Sequence, residues 1–184
     1  GADREQGLLF DDLVSRKQDI IDAIDAKAFV LLICGGYQFF GQYYIDNSNN
    51  KIEGLGIFNY YTTSDSSVGR CIGNIEIEAI LDGKTVNIVG FENHGGQTRG
   101  VEHPLGKVVH GHGNEYQGGY EGFYNGQVLG TYMHGPLLPK NPEVADFIIS
   151  KALAKRYGEV QLAKLDDTLE NRAHEVMQKR MAGA

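Results

Sequence analysis

The chain has 184 residues, 41% of them hydrophobic, and a formal net charge of −7 at pH 7. This length and composition predict one domain with a buried core. The sequence has no stripe of basic residues, so nucleic acid is not an expected partner. No apolar run reaches the ~18–20 residues of a membrane span, and the start, GADREQ, does not resemble a signal peptide. With only two cysteines, Cys34 and Cys71, a disulfide scaffold is not expected, and we expect a cytosolic protein.

Residues 16–26 predict a helix, and the apolar run AFVLLI, which ends at Ile33, predicts a buried strand. A helix over 36–45 and a series of short, glycine-separated strands from Gly54 onward are expected next. Helices over 141–157 and 166–181 follow. This order predicts an α/β fold with a mixed sheet flanked by helices. We expect one domain over 1–184, with 159–184 as a helical extension, and the first strands of the sheet to precede Gly1 in a longer protein.

The sequence ICGGYQ places Cys34 at the corner between the buried strand and the next helix. Such a corner lifts its side chain out of the sheet, as in nucleophile elbows, and we expect Gly35 and Gly36 to permit the tight turn. The alternative is a buried structural cysteine, which is the common role of a free thiol. Cys71, in GRCIGN, lies at no such corner and is interpreted as structural or incidental.

A cysteine nucleophile needs a base, and His134 ends the apolar segment QVLGTYM. A strand that delivers a histidine at its carboxyl end places it on the same sheet edge as Cys34, although a plain loop histidine is the alternative. His94, at the end of another predicted strand, is the rival base. His110 and His112 show metal-like spacing without a third ligand nearby, so we expect an exposed turn and no metal.

These motifs resemble those of class I, triad-type glutamine amidotransferases. CGGYQ resembles their nucleophile motif, GTYMHGP the strand with their histidine, and GFENHGGQT a pocket strand of the cobyric acid synthase branch. Within the family, the ordered set is similar to the glutaminase subunits of lipid II isoglutaminyl synthases. The resemblance implies a flavodoxin-like fold and hydrolysis of glutamine to glutamate and ammonia, with Cys34 forming a thioester and His134 as acid and base. It also implies oxyanion N–H groups at Gly35 and, from a glycine loop, at Gly1.

The resemblance further assigns residues to the glutamine pocket. It implies that Arg70 binds the glutamine carboxylate, for which a bidentate guanidinium is suited, and that Gln38 supports the pocket. Without the resemblance, Arg70 would be interpreted as a solvated turn residue. Asn93 and His94 are candidates for substrate contact or for shaping the pocket.

One position departs from the usual class I pattern, because Pro136 stands where a triad glutamate is common. The resemblance implies that a partner subunit supplies the acid, while Glu143 and Asp146 are local alternatives. The implied partner is a Mur-ligase-like subunit that uses ATP and Mg²⁺ to activate the D-glutamate of lipid II, near the inner face of the membrane. Consistently, the chain contains no GxxxxGK[ST] motif, so no cofactor is expected on it.

Other functions remain open from the sequence. The segment 166–181 fits either a docking surface for the partner or a solvated helix. The same chemistry serves amidation of cobyric acid or a related compound. A flavodoxin-like cysteine hydrolase, or a binding module with an inert Cys34, would belong to a different class.

Overall fold

A computed structural model describes residues 12–183. Helix α1 (Lys17–Asp25) precedes strand β1 (Val30–Ile33), and helix α2 (Gly35–Phe40) follows it after a single intervening residue, Cys34. The helix predicted over 16–26 and the strand that ends at Ile33 are therefore confirmed, although only Leu32 of the strand is buried and the other three residues are partly buried. This strand–corner–helix unit positions the candidate nucleophile.

The helix predicted over 36–45 is wrong in its second half. It ends at Phe40, and Gly41 adopts an extended conformation. The following residues form strand β2 (Tyr43–Ile45) instead. Two tyrosines and an isoleucine in succession suit a pleated strand, and backbone pairing with two neighbouring strands outweighs the local helical pattern.

The remaining strands are short near the ends of the chain and long in its middle. In chain order they are β3 (Lys51–Glu53), β4 (Tyr61–Ser64), β5 (Cys71–Leu81), β6 (Lys84–His94), β7 (Gly96–Arg99), β8 (Gly106–His110), β9 (Tyr120–Glu121), β10 (Phe123–Tyr124), β11 (Val128–Thr131) and β12 (Met133–His134). Helices α3 (Pro142–Tyr157) and α4 (Thr168–Ala182) follow. Both C-terminal helices predicted from the sequence are confirmed.

Hydrogen bonding divides the strands into three sheets, with the orders β1-β11-β10, β12-β6-β5-β8-β9 and β3-β2-β4-β7. Strand β1 pairs in parallel with β11, and β2 with β4, while the other pairs are antiparallel. The mixed α/β fold expected from the sequence is confirmed, with its strands partitioned among three sheets.

Two apolar clusters form the main core. One lies between the long strands and α3, with Ile75, Ile77 and Ile88 at its centre. The other surrounds Tyr37 beneath the Cys34 corner. Each fully buried aliphatic or aromatic side chain contributes roughly 1.5–3 kcal/mol through the hydrophobic effect, so both clusters fix the strands that carry the site.

Helix α4 packs on the protein itself. Met177 and Met181 are buried against Val89 of β6, and Gln178 Nε2 donates a hydrogen bond of 2.6 Å to Glu76 of β5. The outer face of the helix stays exposed. Within residues 12–183, no helix has the length and apolar character needed to cross a membrane.

Candidate active site

The backbone at Cys34 is bent sharply. Its φ is 51° and its ψ −107°, a left-handed conformation that non-glycine residues seldom adopt, and the residue caps the start of α2. Its N–H donates a hydrogen bond of 2.8 Å to the carbonyl of Thr131 on β11. Strain of this kind persists only where surrounding structure enforces it and is concentrated at functional sites.

The strain lies on Cys34 itself and not on the glycines that follow. Neither Gly35 nor Gly36 has a positive φ. A Cβ built on Gly36 meets nothing within 4 Å. The expectation that Gly36 is needed for a tight turn is therefore not supported.

Cys71 lies in a different environment. It opens β5, is fully buried and accepts a long contact of 3.8 Å from Gln97 Nε2. Burial raises the pKa of its thiol to about 11, so little thiolate forms near neutral pH. The interpretation of Cys71 as a structural residue agrees with this geometry.

A one-residue crossover links the strand that is bonded to Cys34 with the strand that carries His134. Strand β11 pairs with β1, whereas β12 pairs with β6 in the second sheet, and only Tyr132 separates them. Since Cys34 is bonded to Thr131, the candidate nucleophile is anchored three residues before His134. A strand end does carry this histidine, as predicted, but that strand belongs to the second sheet and not to the sheet of β1, so the expectation of one shared sheet edge is wrong.

His134 is suited to act as a base. Burial lowers the pKa of its imidazole below the usual 6.5, and the nearby His94 acts in the same direction. The ring is therefore neutral near pH 7 and able to accept a proton. Its Nε2 is buried and has no hydrogen-bond partner among residues 12–183.

No carboxylate in the described part of the chain forms an ion pair with His134. Glu143 and Asp146, the local alternatives for a triad acid, are exposed on α3 and make no bond to its ring. The hypothesis that either completes a triad is therefore not supported by this structure.

Tyr132 is a centre of contacts beneath the site. Its ring stacks on His94, with centroids 3.6 Å apart and planes at 8°. Its hydroxyl accepts a hydrogen bond of 3.1 Å from Gln38 Nε2 and pairs with Thr98 Oγ1 at 2.5 Å. Burial raises its pKa, so the phenol stays neutral. The predicted residues Gln38 and His94 thus both contact Tyr132, a residue that the sequence analysis did not identify.

His94 is 3% exposed, and both ring nitrogens have defined surroundings. Nδ1 lies 2.7 Å from the carbonyl of Gly96 and must donate, because a carbonyl only accepts. Nε2 lies 3.9 Å from Oε2 of the buried Glu92. That Nε2 has no hydrogen-bond partner among residues 12–183, but the ring is stacked on Tyr132 and its Nδ1 is engaged, so we favour a role in shaping the pocket over that of the base.

Arg70 and Asn93 lie together at the exposed end of the long strands. Arg70 Nη2 donates a hydrogen bond of 3.0 Å to Asn93 Oδ1. No carboxylate of residues 12–183 pairs with this guanidinium. The adjacent Gly95 keeps space open, since a Cβ there would lie 3.4 Å from Arg70 Nη1. The exposed guanidinium is therefore available to a ligand carboxylate, and its binding role stays a prediction.

The two oxyanion candidates differ in what the structure describes. Gly35 is the first residue of α2, next to Cys34. Gly1 lies outside the described residues. Its role remains a prediction.

The HGHG segment is partly buried and not the plain exposed turn expected from the sequence. His112 stacks on Tyr116 with centroids 4.3 Å apart, and its backbone N–H donates to Glu92 at 2.7 Å. His110 ends β8 and is also partly buried. Among residues 12–183, no group of three or more potential metal ligands is found.

The sequence analysis did not identify several buried polar residues near the site, among them Glu92, Glu121 and Tyr132. These three are fully buried. Glu92 and Tyr132 stand within the two motifs that were quoted, two residues before His94 and His134 respectively. Alternation along a strand could have marked them as inward-facing, because residues two apart lie on one face.

Comparisons with known proteins identify the family of this chain. Residues 1–142 match the CobB/CobQ-like glutamine amidotransferase domain. The GatD subunit of lipid II isoglutaminyl synthase (glutamine-hydrolyzing) from Staphylococcus aureus (strain N315) is 41% identical over 177 residues, 96% of this chain and 71% of that protein. Its counterpart from Streptococcus pneumoniae (strain ATCC BAA-255 / R6) is 41% identical over 172 residues, 92% of this chain and 65% of that protein.

More distant relatives complete the comparison. A probable cobyric acid synthase from Methanocaldococcus jannaschii is 33% identical over 167 residues, 83% of this chain but only 33% of that protein. The resemblance inferred from the motifs is confirmed. The chain belongs to the CobB/CobQ-like family of glutamine amidotransferases, as the Cys34 corner and the histidine strand had indicated.

Proposed function

We propose that this chain is the glutaminase subunit of a lipid II isoglutaminyl synthase. The 41% identity to two such subunits, which bear the description glutamine-hydrolyzing, supports the assignment. The observation that carries it is the strained Cys34 corner, hydrogen-bonded to Thr131 just before His134. In this proposal the reaction is hydrolysis of L-glutamine to glutamate and ammonia.

In the proposed mechanism, His134 takes the thiol proton of Cys34 and the thiolate attacks the side-chain amide carbon. The developing oxyanion accepts hydrogen bonds from the Gly35 N–H and from a glycine loop that includes Gly1. His134 then protonates the leaving ammonia, which leaves a γ-glutamyl thioester. Finally it takes a proton from water as the hydroxyl attacks the thioester, which releases glutamate and restores the thiol.

Four side chains would bind and orient glutamine. Arg70, beside Asn93, would pair with the α-carboxylate of the substrate. Gln38 would support the amide end of the pocket through Tyr132. His94 would form its buried wall. The support for these roles is proximity in the structure and the match to the family motifs.

The proposed partner is a Mur-ligase-like subunit in a heterodimer. It would bind ATP and Mg²⁺, activate the α-carboxyl of the D-glutamate of lipid II, and combine it with ammonia to give D-isoglutamine. Such a complex would act at the cytosolic face of the membrane, where lipid II is its substrate. In this proposal the partner also supplies the carboxylate that orients His134, with which no carboxylate of residues 12–183 forms an ion pair.

The partner hypothesis has a kinetic test. An imidazole without an orienting acid populates the wrong tautomer and is a poor base. We expect slow glutamine hydrolysis by the chain alone and faster hydrolysis once the partner is added. Equal turnover with and without the partner contradicts the hypothesis.

An amidotransferase for cobyric acid is the second candidate, because synthases of that compound are also relatives. It is less supported, since the identity is 33% and the match covers a third of that protein. The reconstituted complex discriminates between the two. Amidation of lipid II, with no stimulation of glutamine hydrolysis by cobyrinic acid-type substrates, would favour the first candidate.

The central test is covalent labelling by a chloroketone analogue of glutamine, read by intact mass and peptide mapping. We expect one adduct on Cys34, none on Cys71, and protection by free glutamine. Cys34→Ser should abolish the adduct, whereas Cys71→Ser should leave it. Absence of the adduct in the full-length protein with its partner would refute the glutaminase assignment. A label that glutamine does not protect would favour a different cysteine hydrolase.

A further inference from the structure

Glu121 is a fully buried carboxyl group that the proposed mechanism does not use. It lies at the end of β9 and faces the crossover between β11 and β12. Thr131 Oγ1 donates to its two oxygens at 3.1 and 3.0 Å. The backbone N–H of Tyr132 donates to Oε1 at 2.7 Å. No lysine or arginine of the described residues pairs with it.

The crossover needs acceptors that no neighbouring strand provides. Tyr132 lies between the two strands, so its buried N–H belongs to neither ladder. Glu121 accepts that N–H, and Thr131 Oγ1 accepts the next one, from Met133, at 3.0 Å. Because a buried donor without an acceptor is strongly unfavourable, this pair of side chains selects the conformation of the crossover.

The same segment is bonded to the nucleophile. The carbonyl of Thr131 accepts the N–H of Cys34 at 2.8 Å. His134 follows the crossover directly, in β12. Any rotation of the segment would therefore move His134 relative to Cys34, and a general base loses effect when displaced by as little as an ångström.

We propose that Glu121 is a positioning residue that sets the geometry between Cys34 and His134 by holding the Thr131–Met133 crossover. The inference rests on the proposed glutaminase function and extends it to a residue outside the catalytic pair. Glu121 acts through the crossover, because its described hydrogen bonds come from the Thr131 hydroxyl and the Tyr132 N–H and it forms no ion pair with His134.

The chemistry of the carboxyl group suggests the variants. Burial raises the pKa of Glu121 to about 8, and Glu92 nearby adds to this rise, whereas its hydrogen bonds from Tyr132 and Thr131 oppose it. A neutral group therefore predominates near pH 7, and a glutamine amide with its oxygen at the Oε1 position would still accept from Thr131 and Tyr132. Methionine has the same length but offers no comparable acceptor.

The experiment measures glutamine hydrolysis by the full-length protein with its partner subunit, and the rate at which iodoacetamide alkylates Cys34. For Glu121→Met we expect kcat to fall about tenfold or more, with KM and alkylation changed less than about threefold. Glu121→Gln should stay within about threefold of the unmodified protein in kcat. If Glu121→Met does not fold, Thr131→Val is the second variant: it removes the hydroxyl that bonds Glu121 and accepts the Met133 N–H, keeps the bond from Tyr132, and should give a selective loss of kcat in the same direction.

Asn125→Ala is the matched control. Asn125 Oδ1 also accepts two backbone N–H groups, those of Gln127 and Val128, but at the opposite end of β11. We expect reduced stability and an unchanged kcat. Unchanged kcat in folded Glu121→Met, or in Thr131→Val, overturns the inference.

Three outcomes separate the hypotheses. A parallel loss of kcat, substrate binding and Cys34 alkylation that Asn125→Ala reproduces indicates a purely structural role and also overturns the inference. Absence of glutamine hydrolysis by the unmodified complex refutes the proposed function, and the inference falls with it. A selective loss of kcat in Glu121→Met, together with a kcat that is preserved in Glu121→Gln, supports the inference.

Discussion

Replacing Glu121 by glutamine should change how stability depends on pH. The carboxyl is fully buried, and its pKa is raised by burial from 4.5 to about 8. Below pH 4.5 the group is protonated in both the folded and the unfolded chain. Between pH 4.5 and 8 the unfolded chain ionises while the folded chain keeps its proton, so the free energy of unfolding falls as pH rises. Above the folded pKa the loss is complete.

The size of this loss follows from the pKa difference. One pKa unit corresponds to ~1.4 kcal/mol, so the rise from 4.5 to about 8 corresponds to about 5 kcal/mol. Glutamine does not ionise, and its amide oxygen keeps the acceptor for Tyr132 and Thr131. The difference in unfolding free energy between Glu121→Gln and the unmodified protein should therefore grow with pH by up to that amount.

Urea unfolding at a series of pH values between about 4 and 9 measures this difference. Other titrating groups contribute equally to both proteins, so they cancel in the difference. Glu78→Gln, at an exposed position of β5, is the control for removing a carboxyl group as such. A difference curve for Glu121→Gln that is flat between pH 4.5 and 8, or that falls, would refute the reasoning about its buried neutral state.

Three further predictions concern His134, Arg70 and Gly130. In the isolated chain, the NMR titration of the His134 imidazole should have its midpoint below pH 6.5, and the His134→Gln variant assigns the signal. A midpoint above pH 6.5 would contradict the effect of burial on this pKa. Arg70→Lys should raise KM for glutamine about tenfold or more with a smaller effect on kcat, because lysine lacks the bidentate guanidinium. Steady-state kinetics measure both constants, and an unchanged KM would contradict the role in carboxylate binding. Gly130→Ala should lower the free energy of unfolding by about 1–3 kcal/mol in urea titrations, since its Cβ would lie 2.5 Å from the Tyr37 ring. Gly36→Ala, where a Cβ meets nothing within 4 Å, is the control, and equal stability of the two variants would contradict this packing argument.

The elements that bear the reactive side chains could be predicted from the sequence because their signals are local. A continuous apolar run before Cys34 indicates a buried strand, and the change to a helical pattern after it indicates the corner. His134 follows an apolar segment in the same way. Strand and helix ends of this kind depend on residues within one or two turns of the position considered.

Local signals could not predict where α2 ends, nor the buried polar contacts of Tyr132 beneath the site. Tyr43 and Tyr44 become a strand because two other strands pair with them, which is a tertiary effect. The contacts of Tyr132 with Gln38 and His94 join segments that are far apart in the chain. Pairing between distant strands has no signature in a single window of sequence.

The two buried glutamates share a physical logic. Glu92 accepts the N–H groups of His112 and Gly113, and Glu121 accepts that of Tyr132, in each case where the chain leaves a strand. An irregular segment inside a protein needs such acceptors, since no ladder supplies them. The site is thus framed by a hydrogen-bonded network and not by apolar packing alone. A network of this kind is sensitive to loss of a single acceptor, so its effect on catalysis should exceed what the removed volume would suggest.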